Sequence, residues 1–110
     1  MRFYFIRDEK SFPVACIAST IDTTDRVCYA LSIYNPKDEF DRARARDIAA
    51  NRLRKGKFFG TTPNVRGIKE RVMMSIRDNS GIPERVREAA RLWLSKATTG
   101  ASSQADGHAD

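Results

Sequence analysis

The chain has 110 residues, enough for one domain and too few for two. Its 20 Lys+Arg against 14 Asp+Glu leave a net charge of +6, most of it carried by arginine, which favours anionic partners. The longest apolar run falls far short of the roughly 20 residues that cross a bilayer, and Met1-Arg2-Phe3-Tyr4-Phe5-Ile6-Arg7-Asp8 lacks the length and cleavage site of a signal peptide. A cytoplasmic setting without a membrane partner is therefore expected.

Residues 2–7 read as a first strand whose aromatics and isoleucine fill both faces, so both faces should be covered. Asp8-Glu9-Lys10-Ser11 reads as a turn, residues 13–19 as a second strand opening on Pro13, and Asp22-Thr23-Thr24-Asp25 as another turn. Residues 26–34 give the clearest strand. Val27, Tyr29, Leu31 and Ile33 alternate onto one face, while Cys28, Ala30 and Ser32 make a small-residue face that allows close packing. Short turns between the three strands predict an antiparallel meander.

Asn35-Pro36-Lys37-Asp38 reads as a helix start, with Asn35 as N-cap and Pro36 in the first helical position. That helix is predicted to run to about Lys55, with Gly56 as its left-handed C-cap. A loop spans Gly56 to Gly67. A second helix is predicted over 65–78, where Ile68, Val72 and Ile76 recur, and a third from Pro83 to about Ala97 on the stripe Ile82, Val86, Ala90, Trp93 and Ala97. The polar residues from Thr98 onward read as a disordered tail. The expected fold is thus α+β: a single domain over 1–97, with an N-terminal antiparallel sheet of about three strands followed by about three helices, and a tail over 98–110.

The first helix carries arginines at 42, 44, 46, 52 and 54, which spread around the whole circumference at about 100° per residue. Some of these guanidinium groups must lie against packed surface, where a charge is costly unless something satisfies it. Asp38 stands four before Arg42, and Asp41 and Asp47 each stand three from Arg44, so local acids can serve those two. Arg46 and Arg52 have no acid at that spacing. An external phosphate or a partner subunit is the alternative. In the loop that follows, glycines permit close backbone approach, Lys57 and Arg66 supply charge, and Phe58 or Phe59 can either stack on a base or plug the core.

Catalytic chemistry finds little support. The folded part holds no histidine, and there is no Walker A spacing, nucleophile elbow, metal-ligand spacing or dinucleotide fingerprint. Cys16 and Cys28 read as small buried hydrophobes. No cofactor, metal or enzyme activity is expected.

From Ala30-Leu31-Ser32-Ile33-Tyr34-Asn35-Pro36-Lys37-Asp38-Glu39-Phe40 through Arg46-Asp47-Ile48-Ala49 and Arg52-Leu53, the chain resembles small phage and prophage proteins. Those have a strand ending in Ser/Asn-Pro-Lys-Asp-x-Phe, then a helix with Gly-Arg-x-Ile-Ala-x-Gly-Arg-Leu; Ala45 and Asn51 stand here in place of the two glycines. The stretch from Ile82 to Leu94 is similar to the C-terminal helix of that group. In size and order of elements the chain also resembles the phage Thoeris anti-defence sponge proteins. That resemblance implies a homo-oligomer in the host cytoplasm, sequestering a cyclic ADP-ribose-type or cyclic oligonucleotide immune signal in pockets between protomers, without cleaving it. Arg46, Arg52, Lys57 and Arg66 are the expected phosphate contacts, with Lys37 and Arg42 beside them and Phe58 as the stacking ring. The alternatives are a basic phage protein that binds nucleic acid and an anti-CRISPR-type inhibitor that binds a host protein complex.

Overall fold

Two aspartate-headed turns fold the first third of the chain into a meander. Asp8 Oδ1 accepts from the backbone N–H groups of Lys10 (2.9 Å) and Phe12 (3.0 Å), and Ser11 takes a left-handed φ of 67°. Asp22 Oδ1 does the same for Thr24 (2.8 Å) and Arg26 (3.0 Å), with Asp25 at φ 63°. Each aspartate side chain thus satisfies the amides that the turn exposes. The Asp22 carboxyl also accepts from the Thr24 hydroxyl, and these bonds, the hydroxyl's first, pull its pKa down to about 2.

The structure, a computed structural model, describes residues 1–104, with side chains described through Ala97. The elements are β1 (Arg2–Arg7), β2 (Pro13–Ile21), β3 (Arg26–Ile33), α1 (Arg42–Arg54), β4 (Gly60–Pro63), α2 (Ile68–Asp78) and α3 (Glu84–Gln104). The four strands form one antiparallel sheet in the order β1-β2-β3-β4. The architecture is α+β, as the sequence predicts, with β4 as an addition.

Helices cover both faces of the sheet. Val27, Tyr29 and Leu31 of β3 join Ile6 and Ile17 in the larger core, closed by Val72, Met73 and Ile76 of α2 and by Val86 and Ala90 of α3. On the opposite face Cys16, Ala18, Cys28 and Ala30 leave little side-chain bulk, and α1 settles there on Ala49 and Leu53. The alternation of β3 thus decides which helix packs where: bulky residues meet the two-helix layer and small ones admit a single helix closely. Cys16 and Cys28 are buried free thiols, as expected.

Four boundaries differ from the sequence reading. α1 begins at Arg42, not after Asn35. The Asn35 side chain accepts from the Lys37 N–H (3.0 Å) in a local turn, and Asp41 becomes the N-cap by accepting from the Arg44 N–H (3.1 Å). Residues 60–63, expected as loop, pair with Arg26–Tyr29 of β3. α2 starts at Ile68, three residues after the predicted position, because Gly67 at φ 81° stands outside the helix as its N-cap. α3 continues to Gln104, so residues 98–104 are helical where a disordered tail was expected, and residues 105–110 lie outside the described residues.

Candidate functional site

Four of the five arginines of α1 rest on neutral groups. Arg42 stacks on the Phe5 ring, 4.5 Å from its centroid, and Arg46 on the Phe3 ring at 4.7 Å. Arg52 donates through Nη1 to the Leu31 carbonyl at 2.6 Å, and Arg54 through Nη1 to Asn51 Oδ1 at 3.0 Å. The expected pairing of Arg42 with Asp38, and of Arg44 with Asp41 or Asp47, does not form. Among the described residues, the ion pairs involve only Arg77, Arg87 and Arg91, with Asp78, Glu84 and Glu88. Aromatic faces and carbonyls hold a guanidinium in place but leave its charge uncancelled.

Arg52 gains a carbonyl partner from the way β4 ends. The ladder between β3 and β4 stops at Tyr29 opposite Gly60, and Phe59 N–H closes it on the Tyr29 carbonyl at 2.8 Å. The Leu31 carbonyl, farther along the same edge, then has no β4 partner, and Arg52 supplies the donor. The C-terminus of α1 places Lys57 beside it. Gly56 takes φ 74°; its N–H bonds the Leu53 carbonyl (3.1 Å) and the Lys57 N–H bonds the Arg52 carbonyl (2.8 Å), the paired bonds of a Schellman cap. The predicted glycine C-cap therefore forms, and it turns the chain so that Lys57 and Phe58 follow Arg52 around one cleft.

That cleft has a volume of about 370 Å³ and is lined by Arg52, Lys57, Phe58, Phe59, Asn79, Gly81 and Ile82. Phe58 is 46% exposed, whereas Phe59 packs into both cores. The opposite wall is held by Asn79, which donates to the Phe59 carbonyl (2.7 Å) and accepts from the Gly81 N–H (2.9 Å). Arg52 and Lys57 supply two positive charges, and no carboxylate lines the cleft. An anion with a flat apolar part fits this chemistry: forked N–H donors for the anion, and a ring for the flat part.

A larger open hollow of about 850 Å³ lies at the other end of α1, where Arg42 and Arg44 share the lining with Asp38, Glu39 and Asp41. Three carboxylates against two guanidiniums make it a poorer phosphate site. Of the seven residues that the sequence and its resemblance single out, the fold brings Arg52, Lys57 and Phe58 together. It separates the others. Arg42 and Arg46 lie over β1, Arg66 is exposed in the segment between β4 and α2, and Lys37 is exposed in the turn after β3; none of these lines the cleft. Sequence reading missed Asn79, Gly81 and Ile82, which reach the cleft only through tertiary packing.

Among the described residues no group of three or more His, Cys, Asp or Glu side chains could hold a metal ion, and no helix is long and apolar enough to cross a membrane. Fold and cleft together define a small α+β domain with a basic cleft bearing an exposed aromatic ring. Comparison with family models, with curated proteins and with solved structures gives no match for this chain.

Proposed function

We propose that the protein captures a small phosphate-bearing, nucleotide-type ligand in the Arg52–Lys57–Phe58 cleft and releases it chemically unchanged. One observation carries the reading: a partly buried guanidinium, held by a carbonyl and facing no carboxylate, stands beside a second cation and a half-exposed phenyl ring. The remaining N–H donors of Arg52 suit phosphate oxygens, and Phe58 suits the face of a base. The volume is at the small end of the roughly 300–1,000 Å³ typical of ligand sites, which favours a site completed by a second protomer. In the setting that the phage resemblance implies, the ligand is a cyclic ADP-ribose-type or cyclic oligonucleotide immune signal. The protein is then a phage anti-defence sponge acting in the host cytoplasm.

Calorimetric titration with ADP-ribose, cyclic ADP-ribose and a cyclic dinucleotide tests this, followed by chromatography of the recovered ligand. At least one should bind and be recovered intact. Lys57→Ala and Phe58→Ala, both at exposed positions, should each weaken binding by about tenfold, from one lost charged contact or one lost stacking contact. Wild-type protein that binds none of the three, or binding that both variants retain in full, would overturn the proposal.

A further inference from the structure

β1 is an edge strand, and among the described residues nothing pairs with its outer side. Its outward N–H and C=O groups are open to a further strand. The three consecutive aromatics of β1 each carry a cation from a helix. Arg46 lies over Phe3 and Arg42 over Phe5 on the α1 face. Lys69 lies over Tyr4 at 5.3 Å and over Trp93 at 5.0 Å on the opposite face. Arg2 and Arg7, both exposed, stand at the two ends of the strand; Arg7 donates to the Ser11 carbonyl. None of these five cations has a carboxylate within ion-pair distance among the described residues.

From this arrangement we propose that the β1 edge is a docking site for an extended acidic segment of a partner protein, which adds to the sheet as a fifth strand. Two requirements meet at this edge. The unpaired backbone calls for another backbone, which a peptide offers and a nucleic acid does not. The cations call for acids, and they stand on both faces, Arg46 and Lys69 foremost, since Arg42 also borders the hollow lined by Asp38, Glu39 and Asp41. Side chains of an added strand alternate between faces, so successive acids would meet Arg42 and Arg46 on one side and Lys69 on the other. A guanidinium stacked on a ring keeps its N–H groups in the plane of the fork, free for a carboxylate. A second copy of this chain is the wrong occupant, because pairing β1 with itself brings Arg2, Arg7, Arg42 and Arg46 against their like charges. This surface is separate from the Arg52 cleft, and either proposal can fail without the other.

The probe is a fluorescent peptide in which pairs of successive glutamates alternate with pairs of valines, so that both faces of an added strand carry acids, compared with its lysine counterpart and with single-stranded oligothymidine. Hydrogen exchange is read with and without peptide. The acidic peptide should bind, the lysine peptide should not, and amides within Arg2–Arg7 should exchange about tenfold more slowly in the complex. Arg42→Ala and Arg46→Ala should each weaken the peptide by about threefold, Arg→Lys at the same positions should restore most of that, and ligand binding in the Arg52 cleft should not change. No binding of the acidic peptide, binding without protection of β1, or equal binding of oligothymidine would overturn the proposal. Dimerisation through β1 would overturn it as well.

Discussion

A methyl group at Gly60 tests how tightly β4 is seated against the buried tyrosine that supports the cleft. A Cβ there would stand 2.6 Å from Tyr29 Oη, 2.8 Å from Cζ and 2.9 Å from Cε2. Tyr29 is fully buried, and its hydroxyl is bonded to Ser75 Oγ at 2.7 Å, so the ring has no open space to enter and a bond to lose by moving. Gly60 does not take a positive φ. By backbone entropy alone Gly60→Ala would therefore stabilise the fold by about 0.4–1 kcal/mol. Overpacking costs about 1–3 kcal/mol and the weakened hydroxyl pair about 1 kcal/mol more, so after the entropic gain the net expectation is a loss of about 1–3.5 kcal/mol. Urea unfolding measures it as a lower midpoint at unchanged slope. The cycle with Tyr29→Phe identifies the cause. Removing the hydroxyl takes away the nearest atom, so the double variant should be more stable than the sum of the single changes by about 1 kcal/mol. A neutral or stabilising Gly60→Ala, or strict additivity in the cycle, would refute this account of how β4 is packed.

Other measurements address other parts of the fold. Asp41→Ala should cost about 1 kcal/mol in urea unfolding, because the Arg44 N–H loses its cap, whereas Asn35→Ala should cost only about a few tenths, since the Lys37 N–H it holds is exposed to water. Burial pushes the Cys16 thiol up to about 11, outweighing the opposing fields of Arg46 and Arg42, and burial also raises Cys28. At about pH 8 an alkylating reagent should therefore modify both only as fast as the protein opens, and labelling faster than opening would contradict their burial. The Asp22 carboxyl has a folded pKa of about 2 against an ordinary value of 3.8. Its contribution to stability is therefore complete above about pH 4 and lost as pH falls toward about 2, and Asp22→Asn should flatten that part of the stability–pH curve.

β3 is legible because bulky and small residues alternate along it, and β1 and β2 because short apolar runs bounded by turns fill both of their faces; the small-residue face of β3 calls for a close neighbour, and α1 fills it. β4 was not legible. Gly60-Thr61-Thr62-Pro63 has no apolar alternation, and it is a strand only because the edge of β3 offers Arg26–Tyr29 as a template. The start of α1 differs from the sequence expectation for another reason. Asparagine before proline suits a helix cap and a side-chain turn equally well, and the nearer competitor Asp41 takes the cap. At the cleft, Arg52, Lys57 and Phe58 lie within one helical cap of each other, so local chain geometry alone brings them together. Asn79, Gly81 and Ile82 join them across a sheet-to-helix contact that no local spacing encodes.

The arginine-rich helix shows how far charge counting can be taken. In the sequence, an excess of guanidiniums over nearby carboxylates implies a demand for an outside anion. The fold meets the geometric half of that demand with two phenylalanine faces, a backbone carbonyl and an asparagine oxygen. Among the described residues no ion pair cancels the electrostatic half, because none of these partners carries charge. Holding and neutralising are therefore separate properties. A cation fixed by a neutral group has already lost most of its rotamer freedom, so an arriving anion is spared that ordering cost, about 0.5–1.5 kcal/mol per side chain. Pre-positioned but unneutralised arginines are what a binding surface for an anion requires, both at the cleft beside Arg52 and along the edge of β1. A helix whose arginines were paired with Asp38, Asp41 and Asp47 would have given neither.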